Sequence, residues 1–305
     1  MSKYLVTGGA GFIGTNIVKR LLADGHSVTV VDNYAGGKFE ERLQAGAEYI
    51  EADIRDLENL KKICLSGFDG IFNLAALPRV PFSVEFPLES HEINIDGTLK
   101  VLLAARDAKI KRVVFSSSSS VYGDQDHYPV SEDLTALPIS PYALHKFVGE
   151  HYCRLFAELY GLETVCLRYF NVYGQYFDPN GAYALAVGKF INQKKNGEPL
   201  TICGDGDYYR DYVHARDVAS ANLLAMTNPA VGKGEIFNIG NGRAISVNQL
   251  AAIIGGPTVF IPPRLGDVRR TEADNAKARK FLGWSPTLTL EEGIAELKKE
   301  WGLTN

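Results

Sequence analysis

A doubly wound parallel α/β sheet, joined to a smaller, loop-rich α/β lobe, is the fold this sequence predicts. Short β-rich runs alternate with helical patterns through the first half of the 305-residue chain, and that half opens on the glycine turn "VTGGAGFIG". Strands alternating with helices imply βαβ units whose parallel sheet is covered on both faces. The second half is less regular, with Pro, Gly and Asn gathered in "YGQYFDPNGAY", "NGEPL", "GDGDYY", "GGPTVFIPPRLGD" and "GWSP".

In order, "KYLVTGG" reads as a strand and its turn, and "GFIGTNIVKRLLADG" as a helix with Ile13, Ile17, Val18, Leu21 and Leu22 on one face and Gly25 as its stop. "HSVTVVDN", "AEYIEADI", "DGIFNLA", "KRVVFSS" and "LETVCLRYF" read as further strands. "NIDGTLKVLLAARDAK", "GAYALAVGKFINQKK" and "RDVASANLLAMTN" read as helices. The predicted division is a dinucleotide-binding domain over 1–168, rejoined by about 212–240, and a second lobe over 169–211 and 241–305.

Composition narrows the function. The chain is 46% hydrophobic and 22% charged with a formal charge of −4, so it offers no general attraction to nucleic acid or an anionic membrane. No run reaches the ~20 apolar residues that span a bilayer, and the glycine-broken start is a poor signal peptide. The expectation is a soluble cytoplasmic protein. Cys64, Cys153, Cys166 and Cys203 form no CxxC pair and have no His at ligand spacing, so reduced structural thiols and no metal are expected.

The glycines at 8, 11 and 14 sit where a strand turns into a helix. There Gly8 permits the tight turn, Gly11 lets backbone approach a pyrophosphate, and Gly14 allows close helix–strand packing. A Rossmann dinucleotide site follows, against the alternative of a plain glycine turn. Asp32 ends the second strand, where a carboxylate can bind the adenosine ribose hydroxyls and repel a 2′-phosphate. No Arg follows it immediately, which favours NAD over NADP. Asp53 either binds adenine or starts the "DIRD" turn.

"SPYALHKFVGEHYCRLFAELYG" reads as a helix with Ser140 as N-cap, Pro141 in its first turn and Gly161 as its end. Val148, Tyr152, Leu155 and Leu159 recur at helical spacing. Tyr142 and Lys146, four apart, share a face. A phenol has a pKa near 10, so acting as a base near neutrality takes a lowering of about three units, roughly 4 kcal/mol. A neighbouring ammonium, a positive nicotinamide and the helix N-terminus push that way. The serine run 116–120 follows the short buried strand "RVVF", whose carboxyl end is the ligand edge of an open α/β sheet. It is therefore a site element and not a linker. No His–Asp set or GxSxG marks a serine nucleophile.

Taken with "VVDN", "ADIRD", "NLAA", "NIDGT", "SSSSSVYGD", "SPYALHK", "LRYFNVYG", "RDYVHARDVA" and "PPRLGD", the chain resembles the extended short-chain dehydrogenase/reductases over nearly its whole length. Within them it is most similar to the nucleotide-sugar 4-epimerases. The resemblance implies NAD as cofactor, a UDP-sugar substrate and a homodimer formed by "NIDGTLKVLLAARDAK" and the Tyr142 helix. It implies catalytic roles for Ser118, Tyr142 and Lys146. It implies an NAD site of Gly8, Gly11, Phe12, Ile13, Gly14, Asp32, Asn33, Asp53, Ile54, Leu74, Ala75, Ala76, Asn94, Tyr142, Lys146 and Phe170. The implied substrate contacts are Ser118, Ser119, Ser120, Tyr142, Asn171, Asn180, Arg210, Arg264, Asp267 and Thr271. Guanidinium groups suit a pyrophosphate, although Arg210 could instead pair with Asp211.

The implied reaction oxidises the sugar at C4, with NAD carrying the hydride, and reduces it again from the other face. Dehydratases of this family carry an Asp-Glu pair where this chain has Ser119 and Ser120, which argues for epimerisation. Thr271 stands where a bulky Tyr would crowd an N-acetyl group, and Ser119–Ser120 and "DPNGAYA" resemble enzymes of UDP-hexosamines. UDP-GlcNAc/UDP-GalNAc is the expected pair, with UDP-Glc/UDP-Gal also accepted. UDP-glucuronate 4-epimerisation is the alternative, followed by a dehydratase, a decarboxylase, a true dehydrogenase or a non-catalytic NAD-binding regulator.

Overall fold

The computed structural model describes residues 1–78, 80–177, 186–263 and 268–303. Its centre is a seven-stranded sheet. In chain order the strands are β1 (Lys3–Thr7), β2 (Ser27–Asp32), β3 (Glu48–Glu51), β4 (Gly70–Asn73), β5 (Arg112–Ser118), β6 (Glu163–Tyr169) and, much later, β10 (Lys233–Ile239). They lie side by side as β10-β6-β5-β4-β1-β2-β3, and every pairing is parallel. The order reverses between β1 and β4. At such a switch point the crossovers leave to opposite faces, and a crevice opens beyond the strand carboxyl ends.

Burial on both faces explains why these strands read as unbroken apolar runs. Alternate side chains feed two cores. Tyr4, Val6, Val30, Val114 and Val165 face α1 (Phe12–Ala23) and the helix Ala215–Thr227. Leu5, Val31, Val113, Phe115 and Cys166 face the helices Leu57–Cys64, Thr98–Asp107 and Pro141–Tyr160. Cys64, Cys153 and Cys166 are buried thiols, and burial pushes Cys64 up to about 11.

Two smaller sheets complete the described fold. One joins β7 (Asn171–Tyr173), β9 (Tyr209–His214) and β11 (Ala244–Ser246) in the order β11-β9-β7. The other pairs β8 (Leu200–Cys203) with β12 (Thr258–Ile261). They share a core of Phe190, Ile191, Leu200, Ile202, Leu250, Ile254 and Ile294. Among the described residues, no helix is long and apolar enough to cross a membrane.

Three helices are seen differently from, or less fully than, their sequence patterns. The stretch opening "NIDGT" is π-helical over Glu92–Gly97 before it becomes α-helical at Thr98–Asp107. The helix read from "GAYALAVGKFINQKK" is observed over Ala186–Lys195, and its earlier part lies outside the described residues. In Pro141–Tyr160 the spaced apolar residues are only partly the inward face: Tyr152 packs against the core, whereas Leu155 and Leu159 are exposed, as is Leu144. The buried face carries Tyr142, His145, Lys146, Gly149, Glu150, Cys153 and Phe156. Polar groups turn inward there because partners inside receive them, so hydrophobicity alone misassigns the face.

Arg112 ties the late strand to the early ones. It is buried at the start of β5, and its guanidinium donates to the carbonyls of Ala225, Met226, Asn228 and Val231 and to Glu163. Those carbonyls lie on the segment that leads into β10. Arg112→Met should lower the free energy of unfolding by about 4 kcal/mol or more, since four carbonyls lose their donor and each orphaned buried acceptor costs about 1–3. Urea denaturation with an unchanged slope measures it.

Candidate active site

A cleft of about 560 Å³ opens at the switch point. Gly8, Gly11, Phe12, Ile13 and Gly14 line one side, with Asp32, Asn33, Asp53 and Ile54 beyond them. Leu74, Ala75 and Ala76 form the β4 side, and Tyr142 and Lys146 approach from helix Pro141–Tyr160.

The glycine turn is shaped by close backbone approach. Gly8 has φ +71°, and a Cβ there would lie 2.7 Å from the Ala75 nitrogen. A Cβ on Gly14 would lie 2.2 Å from the Gly8 carbonyl oxygen, so α1 cannot seat against the turn with any larger residue. Gly11 caps α1 without a side-chain hydrogen bond, leaving first-turn N–H groups facing the cleft for an anion. At the far end Asp32 accepts from the Ala10 and Tyr34 nitrogens at 3.0 and 2.8 Å. Its carboxylate thus joins the glycine turn to the end of β2. Arg55 forks onto Asp53 and Asn33 donates to it, and these bonds hold Asp53 down at about 2. This surface fits a dinucleotide: a turn that admits no side chain, an open helix N-terminus and the carboxylates of Asp32 and Asp53 beyond it.

The five serines have different fates. Ser116 Oγ meets the Tyr169 hydroxyl at 2.9 Å, and its carbonyl receives Lys146 Nζ at 2.7 Å. Ser117 Oγ donates to Glu150 Oε1 at 2.5 Å. Ser118, at the end of β5, hydrogen-bonds the Tyr142 phenol and accepts from the Ser120 nitrogen at 3.2 Å. Ser119 opens the short 3₁₀ turn Ser119–Tyr122, and Ser120 Oγ is buried with no partner among the described residues.

Around Tyr142 the electrostatics run against the expected lowering. Burial pushes the phenol up to about 12, and only the Ser118 hydrogen bond pulls it back. Lys146 lies 5.9 Å from the Tyr142 ring centre, and burial pushes its amine down to about 8. Desolvation disfavours both charged forms. In the protein alone the pair therefore rests closer to neutral than the sequence implies.

Other predicted residues lie off the cleft wall. Asn94 sits on the π-helical turn, its amide clasping the Leu77 backbone through Oδ1 at 2.8 Å and Nδ2 at 3.1 Å. Phe170 packs with Val121, Tyr122, Val130 and Ala273. Asn171 donates to the Asp211 carbonyl and to Thr271 Oγ1, each at 3.0 Å. Arg210 donates to the Tyr209 carbonyl at 2.9 Å. The proposed Arg210–Asp211 pair does not form: neighbours on a strand point to opposite faces. Asp211 turns inward to accept from the nitrogens of Asn241, Gly242 and Ala273, and burial raises it to about 6. Asn180, Arg264 and Asp267 lie outside the described residues.

The cleft wall also includes Arg42, Phe82, Tyr169, Tyr173 and Phe177, which the sequence reading did not single out. Arg42 lies ten residues past Asp32 and returns because the chain folds back through the turn Glu40–Arg42. The glycine pair Gly36–Gly37 was its only local sign.

A doubly wound sheet with this turn and this Ser–Tyr–Lys group defines a dinucleotide-dependent protein of the short-chain dehydrogenase/reductase type. Residues 4–240 match the NAD dependent epimerase/dehydratase family, and the chain belongs to that family. It is 42% identical over 303 residues to a UDP-glucose 4-epimerase of Mycolicibacterium smegmatis, with 96% of each chain covered. Its fold is similar to that of the UDP-glucose 4-epimerase of Thermotoga maritima solved with UDP-glucose (TM-score 0.92, 41% identity, 98% of each chain). It is equally similar to the UDP-N-acetylglucosamine 4-epimerase of Methanobrevibacter ruminantium, solved with UDP-N-acetylmuramic acid (TM-score 0.92, 38% identity, 99% and 98% of the chains). The cofactor is NAD, as the sequence predicts.

The shifted phenol gives a spectroscopic expectation. At pH 9, about three units below its folded value, Tyr142 stays protonated in the cofactor-free protein. The difference in tyrosinate absorbance between wild type and Tyr142→Phe should then be flat, and adding oxidised NAD should make it rise. A phenolate signal already present without cofactor would contradict this.

Proposed function

We propose that the protein is a UDP-sugar 4-epimerase that interconverts UDP-GlcNAc with UDP-GalNAc and also accepts UDP-Glc/UDP-Gal. The observation that carries this reading is the placement of Tyr142 and Lys146 on the cleft that holds the glycine turn, with Ser118 against the Tyr142 phenol at the carboxyl end of β5. A hydroxyl-bearing carbon held there faces one base and one hydrogen-bond donor.

Bound NAD supplies positive charge and a reversible hydride acceptor. Tyr142 takes the proton of the sugar's 4-hydroxyl and later returns it. Ser118 holds the same oxygen while it is a carbonyl. Lys146, fixed to the Ser116 carbonyl, stabilises the phenolate from below. Gly8, Gly11, Phe12, Ile13 and Gly14 would seat the pyrophosphate, and Asp32, Asn33 and Asp53 the adenosine. Serines at 119 and 120 offer no acid to expel a second hydroxyl, which favours epimerisation over dehydration.

For the sugar, Thr271 is a small residue whose hydroxyl is occupied by Asn171, leaving room where a larger side chain would stand. The M. ruminantium neighbour supports the N-acetylated substrate, and the relatives named for UDP-glucose support the second activity. We also read 1–168 with 212–240 as the NAD domain, and 169–211 with 241–305 as the lobe that closes on the nucleotide sugar. Asn171, Arg210, Arg264 and Asp267 would contact it there.

Purified protein given UDP-GlcNAc, UDP-Glc and UDP-glucuronate separately, with products resolved by chromatography, should form UDP-GalNAc without net change in nicotinamide absorbance. Turnover of UDP-Glc alone, or of UDP-glucuronate alone, would reject the substrate assignment. Tyr142→Phe should lose about 10²–10⁴-fold in turnover while binding NAD. The exposed Leu144, Leu155 and Leu159 are proposed to meet a second copy. A monomer mass in sedimentation equilibrium would remove that contact.

A further inference from the structure

Glu150 lies one turn beyond Lys146 on the same helix and is 2% exposed. Its Oε1 accepts from Ser117 Oγ at 2.5 Å and from Arg168 Nε at 2.8 Å, and its Oε2 accepts from Arg168 Nη2 at 2.8 Å. Ser117 lies between the residue whose carbonyl receives Lys146 and the residue whose hydroxyl meets Tyr142. One carboxylate therefore ties the catalytic helix, the end of β5 and β6 together.

A buried ion pair of this kind adds little stability over an apolar replacement of the same shape, and its best-supported use is to fix register. Register is what the site needs here, because sliding the helix against β5 would separate Tyr142 from Ser118. We propose that Glu150 is a positioning residue for Ser118, Tyr142 and Lys146, setting the distance between strand end and helix. The inference rests on the epimerase reading for what the three residues do, and on the geometry alone for Glu150.

The charge effect has a definite sign. Lys146 is faced by the Phe115 ring and the Ser116 carbonyl of β5. Tyr169 lies behind Ser116, and Cys166 and Arg168 lie around Glu150 from β6. Tyr142, His145 and Cys153 share its own helix. Burial pulls the amine down, and Cys153 and then the Glu150 carboxylate pull it up. Removing that charge lowers the amine further, so less ammonium faces the phenol at neutral pH. The phenol then holds its proton more tightly, and the ionisation on which turnover depends moves to higher pH.

The test uses the full-length protein with carbon-13-labelled lysine, free of cofactor, with the Lys146 signal assigned by its loss in Lys146→Met. In Glu150→Gln the Lys146 midpoint should fall. In the NAD-loaded enzyme, kcat at neutral pH should fall about tenfold, with the pH–rate midpoint raised. Ser117→Ala, which keeps the charge and removes the tether, should leave the Lys146 midpoint in place and lower kcat about fivefold at unchanged NAD affinity. A Glu150→Gln protein with wild-type kcat and an unshifted pH–rate midpoint overturns the proposal. If that variant does not fold, Ser117→Ala decides: a lowered kcat supports positioning, and a wild-type kcat overturns it. A shifted lysine in a protein that turns over no UDP-sugar would sink the functional reading and support the positioning.

Discussion

The bond from Lys146 Nζ to the Ser116 carbonyl is the constraint on which the site depends. It exists because of how the sheet ends. β4 pairs with β5 only as far as Asn73 opposite Phe115, whereas β6 follows β5 three residues further, to Tyr169 opposite Ser118. From Ser116 onward β5 has a neighbour on one side only. Its spare carbonyl would be an orphan in a buried place, and the amine would be an unpaired buried cation. Each satisfies the other, and the helix is thereby fixed to the strand at the height where Ser118 meets Tyr142.

That arrangement stores charge in a form the protein alone does not express. Desolvation raises the phenol and lowers the amine, so both sit nearer neutrality than in water. The Tyr-x-x-x-Lys spacing does not carry this, because spacing reports proximity and not solvent exclusion. The ionised state must be completed by what binds, which couples proton chemistry to cofactor occupancy.

Much of the architecture could be read in advance. The strand β1, the turn at Gly8–Gly14 and helix α1 announce themselves through composition and period, and Asp32 is placed by chain length alone. Ser140 and Gly161 bound the catalytic helix as their chemistry dictates: Ser140 accepts from the Ala143 nitrogen and Gly161 is left-handed. What stayed hidden depends on tertiary contact. The inward face of that helix is set by partners for Lys146 and Glu150, not by its leucines. Arg42 reaches the cleft through a fold-back with no period of its own. The division of labour within the serine run follows from which neighbour each hydroxyl meets, and five identical letters cannot encode that.

The last strand of the central sheet has a consequence for synthesis. β10 covers the flank of β6, yet sixty-odd residues and the strands β7, β8 and β9 separate them in the chain. Until that strand emerges from the ribosome, β6 presents an unpaired row of amides and carbonyls, the kind of edge that recruits foreign strands. A nascent or truncated chain ending before residue 233 would be a hazard to its neighbours, and timely completion guards solubility as much as shape.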